Sequence, residues 1–173
     1  SEFNVGVGSP VGALGLMQLM PGTARDVARS LDMPYEKARL TADWQYNAVL
    51  GSRYLADLTD RFGASPVQIA AGYNAGPGRP RDWMQDRGDP RSGDADVIDW
   101  IEMIPFRETR NYVQRVTESI PIYQARLSGK TGPIAFMDLL RGEENIVRPV
   151  ARADGALAIP APVTGTNSEQ DPA

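Results

Sequence analysis

The chain predicts an all-α fold. Apolar residues recur at helical spacing along it, no stretch alternates with the period of two that a half-buried strand needs, and short breaks rich in Gly and Pro separate the segments. With 173 residues, 42% of them hydrophobic, there is enough apolar surface for one real core, so one domain with a tail is expected.

The elements follow in order. Pro21 to Met33 places Ala24, Val27, Ala28 and Leu31 on one helical face, and Pro21 suits the first helical position. Thr41 is the expected N-cap of a second helix. There Trp44, Ala48, Leu55, Leu58 and Phe62 form an apolar stripe opposite Arg53, Asp57, Asp60 and Arg61, and Gly63 stops it. Ser65-Pro66-Val67-Gln68 reads as a capping box that launches a helix carrying Ile69, Ala70 and Tyr73 into the break at Gly76-Pro77-Gly78. A short helix holds Trp83. Arg87 to Asp94 is a loop, and the next helix presents Val97, Trp100, Ile101 and Ile104. The last long element starts near Phe106 and turns Thr109, Tyr112, Val113, Val116 and Ile120 inward, with Pro121 expected to kink or divide it. Residues 1–141 thus form the domain and 142–173 a Pro- and Ala-rich tail. Val147 to Ala173 lacks aromatic residues and cannot bury enough surface to order itself.

Charge and composition narrow the function classes. The net charge is −4, from 18 basic and 22 acidic residues. Residues 142–173 hold two arginines against five acids and so carry −3, leaving the body about −1. No basic patch offers the footprint of a nucleic-acid binder, and nothing approaches the roughly 18 continuous apolar residues of a membrane span. There is no Cys and no His, which removes disulfides and the usual ligand sets of zinc and haem, so neither metal nor cofactor is expected. Proton transfer then falls to Asp, Glu, Tyr or Lys, a carboxyl first. The start at Ser1, without Met, reads as part of a longer protein.

Three blocks stand out. Ser9 to Pro21 packs three glycines into an apolar stretch, as a tight turn requires. Gly72-Tyr73-Asn74-Ala75-Gly76 puts polar groups at a helix end, where C-capping explains much of it. Glu108 and Tyr112 share a helix face, and a carboxylate in a first turn is commonly a dipole device.

In order and content these blocks resemble the lytic transglycosylase domain of the goose-type lysozyme superfamily, with motifs Ser-Pro-x-Gly-Ala-x-Gly-Leu-Met-Gln-x-Met-Pro, Ala-Tyr-Asn-Ala-Gly and Glu-Thr-Arg-x-Tyr-Val. Asn47, Gly51, Tyr54 and Leu55 fit the family's second helix, and the likeness covers residues 1 to about 128. Gly72 departs from it, standing where Ala is usual. The resemblance implies a lysozyme-like helical domain with a glycan-binding groove. It also implies cleavage of peptidoglycan between N-acetylmuramic acid and N-acetylglucosamine, with closure of a 1,6-anhydro ring, in a periplasmic or envelope location.

The family's single catalytic Glu immediately precedes its Ser, and the spacing aligns that Ser with Ser1, so the expected acid precedes this chain's first residue. Glu2 is no substitute, because two residues turn a helical side chain by roughly 200°. Among the residues present, the resemblance assigns Ser1 and Ser9 to the neighbourhood of the acid and sugar. It gives Gln18 and Met20 to the cleavage subsites, and Tyr73 and Asn74 to the opposite side. Glu108 becomes a second, hydrogen-bonding carboxylate supported by Tyr112. Two alternatives stand beside this reading: a peptidoglycan-binding module that keeps the groove without the acid, and a hydrolase, which needs a second carboxylate to activate water.

Overall fold

A computed structural model describes residues 6–129 and 132–143. The expected tail from Val147 and the positions Ser1 and Glu2 lie outside the described residues. Those that are described form helices α1 (Pro21–Ser30), α2 (Arg39–Ala42), α3 (Trp44–Phe62), α4 (Pro66–Ala75), α5 (Gly78–Arg87), α6 (Val97–Glu102), α7 (Arg107–Ser128) and α8 (Phe136–Arg141). The only extended pairing among them is two isolated antiparallel bridges, Gly8 with Leu14 and Leu14 with Leu19. The all-α class holds.

α1 begins at Pro21 as expected but ends three residues before Met33. Asp32 adopts φ +52°, its N–H donates to Arg29 O, and Met33 N–H donates to Ala28 O. This is a Schellman closure with Asp in the left-handed position, so the apolar pattern runs on past the helix. Thr41 is not the cap of α3. It lies inside α2, and Asp43 caps α3 by accepting from Tyr46 N–H at 3.0 Å. That bond, with the Arg39 guanidinium at 2.8 Å, holds the Asp43 carboxyl below the ordinary carboxylate range.

The buried face of α3 follows the expected stripe only at Leu58 and Phe62. Trp44 is 53% exposed, whereas Tyr46, Asn47, Leu50, Gly51, Leu58 and Phe62 are buried. A polar Asn and a Gly carry two turns of the true inner face, and a search for apolar residues passes over both. At α4, Ser65 does cap: its Oγ accepts from Gln68 N–H and donates to Leu140 O at 3.0 Å. The capping box is not reciprocated, because the Gln68 side chain is buried with neither polar atom hydrogen-bonded to protein. α5 and α6 bury Trp83, Val97, Trp100 and Ile101 as expected, and Ile104 just beyond them. α7 runs through Pro121 as one helix rather than dividing there. Pro121 N cannot bond to the carbonyl of Thr117 one turn back, but its flank is open, with Ile122 and Tyr123 exposed.

Two apolar clusters result. One gathers Leu19, Ala24, Val27, Ala28, Leu40, Tyr46 and Leu50 from the N-terminal half. The other joins α4 to α8 through Val67, Ala71, Trp83, Trp100, Ile104, Val113 and Leu140, with Trp83 and Trp100 edge to face at 6.2 Å. α3 and α4 pack against each other between them.

Candidate functional site

The loop ahead of α1 is built from backbone first. Gly15 N–H donates to Val7 O, Leu14 and Leu19 exchange hydrogen bonds, and Ser9 N–H and Ala13 O close the turn before them. Gly15 has φ +75°, and a Cβ there would stand 2.0 Å from Leu40 O. Gln18 also takes a left-handed backbone, φ +49°, a strained choice for a residue with a side chain. Its amide Nε2 offsets this by donating to Gly15 O at 2.8 Å and Val7 O at 3.2 Å.

This loop faces α3, α4 and α7 across a cavity of about 630 Å³. Ser9, Gln18, Met20, Tyr73, Asn74, Glu108 and Tyr112 all line it. Seven residues singled out along the sequence, from three blocks up to about 100 positions apart, are thus brought to one space; Ser1 is outside the described residues. Their side chains are not equally free. Ser9 Oγ accepts from Ala13 N–H at 2.9 Å, and the Gln18 amide group is held by the loop. Tyr73 Oη donates to Met17 O at 2.7 Å, and Asn74 Oδ1 accepts from Thr109 Oγ1 at 2.7 Å. Glu108, in the first turn of α7, is exposed and is the one carboxylate among the described lining residues.

Burial raises the Tyr73 hydroxyl far above the usual tyrosine range, reinforced by the neighbouring phenols of Tyr112 and Tyr54. The Tyr112 and Tyr54 hydroxyls are raised for the same first reason. All three stay neutral at physiological pH, so the site offers phenol donors rather than phenolates. Tyr54 packs on Tyr73 at 5.3 Å between centroids, and its hydroxyl reaches Gly72 O.

Sequence reasoning missed the apolar half of the lining: Leu16, Ile69 and Val116, with Tyr54 and Leu55 from α3 assigned no place in it. The information was present in helical spacing. Ile69 is one turn before Tyr73, and Val116 follows Glu108 and Tyr112 at the same interval. No group of three or more acidic residues among those described is placed to hold a metal ion.

The loop, the Tyr-Asn end of α4 and the Glu-bearing first turn of α7 thus surround one cleft in an all-helical domain. The chain belongs to the Transglycosylase SLT domain family, which matches residues 1–94. It is 41% identical over 117 residues to the soluble lytic murein transglycosylase of Escherichia coli, covering 67% of this chain and 18% of that protein. A putative soluble lytic murein transglycosylase of Haemophilus influenzae is 34% identical over 136 residues, covering 79% and 22%. Among solved structures, the 70 kDa soluble lytic transglycosylase of E. coli superposes with a TM-score of 0.64 at 39% identity, covering 72% of this chain and 20% of that one. An inactive Glu-to-Gln mutant of the lytic transglycosylase Slt of Pseudomonas aeruginosa gives 0.64 at 40% identity, covering 76% and 20%. The chain therefore spans about a fifth of the length of these relatives.

Proposed function

We propose that this domain is the catalytic unit of a lytic transglycosylase that cuts peptidoglycan glycan strands between N-acetylmuramic acid and N-acetylglucosamine. The observation that carries the reading is the convergence of Ser9, Gln18, Met20, Tyr73, Asn74, Glu108 and Tyr112 on one cavity in a member of the SLT family. The general acid is the Glu expected immediately before Ser1. That a Glu-to-Gln mutant of the P. aeruginosa relative is inactive supports the choice of a Glu as the acid.

The acid protonates the glycosidic oxygen as the bond to C1 of the muramic residue breaks. The muramic 6-hydroxyl then bonds to C1, closing the 1,6-anhydro ring, and returns its proton to the carboxylate. No water is consumed, so no second carboxylate is needed to activate one. The apolar lining from Leu16, Met17 and Met20 suits an acid that must stay protonated near neutral pH. Glu108 and Asn74 bind sugar or nearby side chains, and the neutral phenol of Tyr112 supports that wall. Such an enzyme works where peptidoglycan is, in the periplasm or envelope of a bacterium.

Digestion of purified peptidoglycan by this chain, and by one extended upstream past Ser1, tests the reading by mass spectrometry of the products. Anhydro-muropeptides from the extended form are expected, with a loss of about 10³-fold when the added Glu becomes Gln. Reducing-end products would make it a hydrolase. Binding without products from either form would favour a peptidoglycan-binding module, the reading suggested by Glu108 being the lone carboxylate of the described lining.

A further inference from the structure

Asn47 is fully buried in α3, and its side chain spends itself on three backbone partners. Oδ1 accepts from Met17 N–H at 2.7 Å, and Nδ2 donates to Leu14 O and to Leu40 O, both at 3.1 Å. The loop is shaped to receive it: a Cβ on Gly15 would stand 2.4 Å from Asn47 Nδ2, so the amide fits only against glycine. Gly51, one turn along α3, leaves the same kind of room for the Met17 side chain, whose Cγ would lie 2.6 Å from a Cβ there. On its other side Met17 O accepts from Tyr73 Oη at 2.7 Å. The loop carrying Gln18 and Met20 is therefore held through Met17 by one residue from α3 and one from α4. Among the described residues no regular sheet braces it, only the isolated bridges at Leu14.

We infer that Asn47 is a positioning residue for the cleft. It does not line the cavity, but it fixes the height and tilt of the Met17–Met20 wall against Tyr73 and so controls how well a glycan is held and aligned. A fully buried Asn whose amide is spent on three backbone groups across up to 33 residues of sequence does more than fill a core: leucine would fill the same space but strip Met17 N–H, Leu14 O and Leu40 O of this partner. The inference rests on the proposed glycan reading for its consequence, though not for its geometry.

The test compares the full chain with Asn47→Leu, near in volume but without hydrogen bonds, and with Tyr73→Phe, which removes only the bond to Met17 O. Amide exchange of Met17 and Gln18 is read against that of Trp100 and Val113 in the other cluster, and affinity for an oligomer of N-acetylglucosamine is measured by calorimetry. Faster exchange confined to the loop is expected in Asn47→Leu, with a loss of affinity of about tenfold or more. Tyr73→Phe should move the same amides less. In the form extended upstream past Ser1, Asn47→Leu should lower kcat on peptidoglycan more than it raises KM, because a displaced wall misaligns the bond to be cut.

Unchanged loop exchange in a folded Asn47→Leu protein would overturn the inference, as would exchange that rises equally in both clusters. If the unsubstituted chain binds no oligomer, the glycan reading fails at that point and the exchange rates alone decide the role of Asn47. If Asn47→Leu refuses to fold, Asn47→Ser, smaller and too short to reach all three backbone partners, supplies the same two readouts.

Discussion

Gly72, where the family motif carries Ala, is explained by its neighbour on α3. A Cβ at this position would meet Phe62 Cε2 at 2.9 Å and Leu58 Cδ2 at 3.1 Å. Gly72→Ala should therefore destabilise by about 1 kcal/mol, overpacking outweighing the ~1 kcal/mol that Ala normally gains over Gly in a helix. In a Phe62→Leu background the sign should reverse, and a double-mutant cycle by denaturant unfolding measures the coupling. Gly15→Ala is far more severe, since both φ +75° and the contact with Leu40 O oppose it. A loss of more than about 3 kcal/mol is expected from thermal unfolding, in line with the exceptional end of single-site effects. Tyr73→Phe removes one hydrogen bond and strands the Met17 carbonyl, at about 1–3 kcal/mol. Glu108→Gln, at an exposed position, should leave the melting temperature nearly unchanged while weakening oligosaccharide binding, which calorimetry checks directly.

At the level of elements, what the sequence made legible was governed by whether burial falls on apolar residues. α1, α4, α5 and α6 were readable because their inner faces are Ala, Val, Trp and Ile, and because Pro21, Ser65 and Gly76 mark their ends. α3 was misread where Asn47 and Gly51 form its inner face, the same residues that accommodate the loop. α8, six residues long, was missed, although Leu139 and Leu140 are buried and its end is closed by Gly142 in the left-handed region. The three motif blocks are legible by their content, and Ile69 and Val116 by their spacing from Tyr73 and Tyr112, but only packing reveals that Leu16, in the loop, completes the cleft.

The α5–α6 loop carries a prediction of its own. Arg91 grips Asp89 at 2.6 Å and holds its carboxyl below the ordinary range, while Arg91 Nη1 ties the loop to Phe62 O. A lowered folded pKa means this stabilisation is present above the unfolded carboxylate value, about 3.9, and is lost as pH falls through the folded one. Asp89→Asn should cost about 1 kcal/mol at neutral pH and flatten the acid limb of stability, measured as melting temperature between pH 7 and pH 2.

For the molecule as a whole, the cleft is a boundary between two apolar clusters, and α4 belongs to both sides. Its residues Val67 and Ala71 enter the C-terminal cluster, while Tyr73 packs on the N-terminal one. The two buried tryptophans, Trp83 and Trp100, sit in the first of these, and Trp44 on the far side is half exposed. Tyr46, Tyr54 and Tyr73 belong to the second. In a Trp44→Phe variant, tryptophan emission therefore follows the region from α4 to α8, while far-ultraviolet circular dichroism follows the helices of both halves. Because α4 is common to both, the two melting curves should coincide, and a gap between them would mean that the walls of the cleft come apart before either half unfolds.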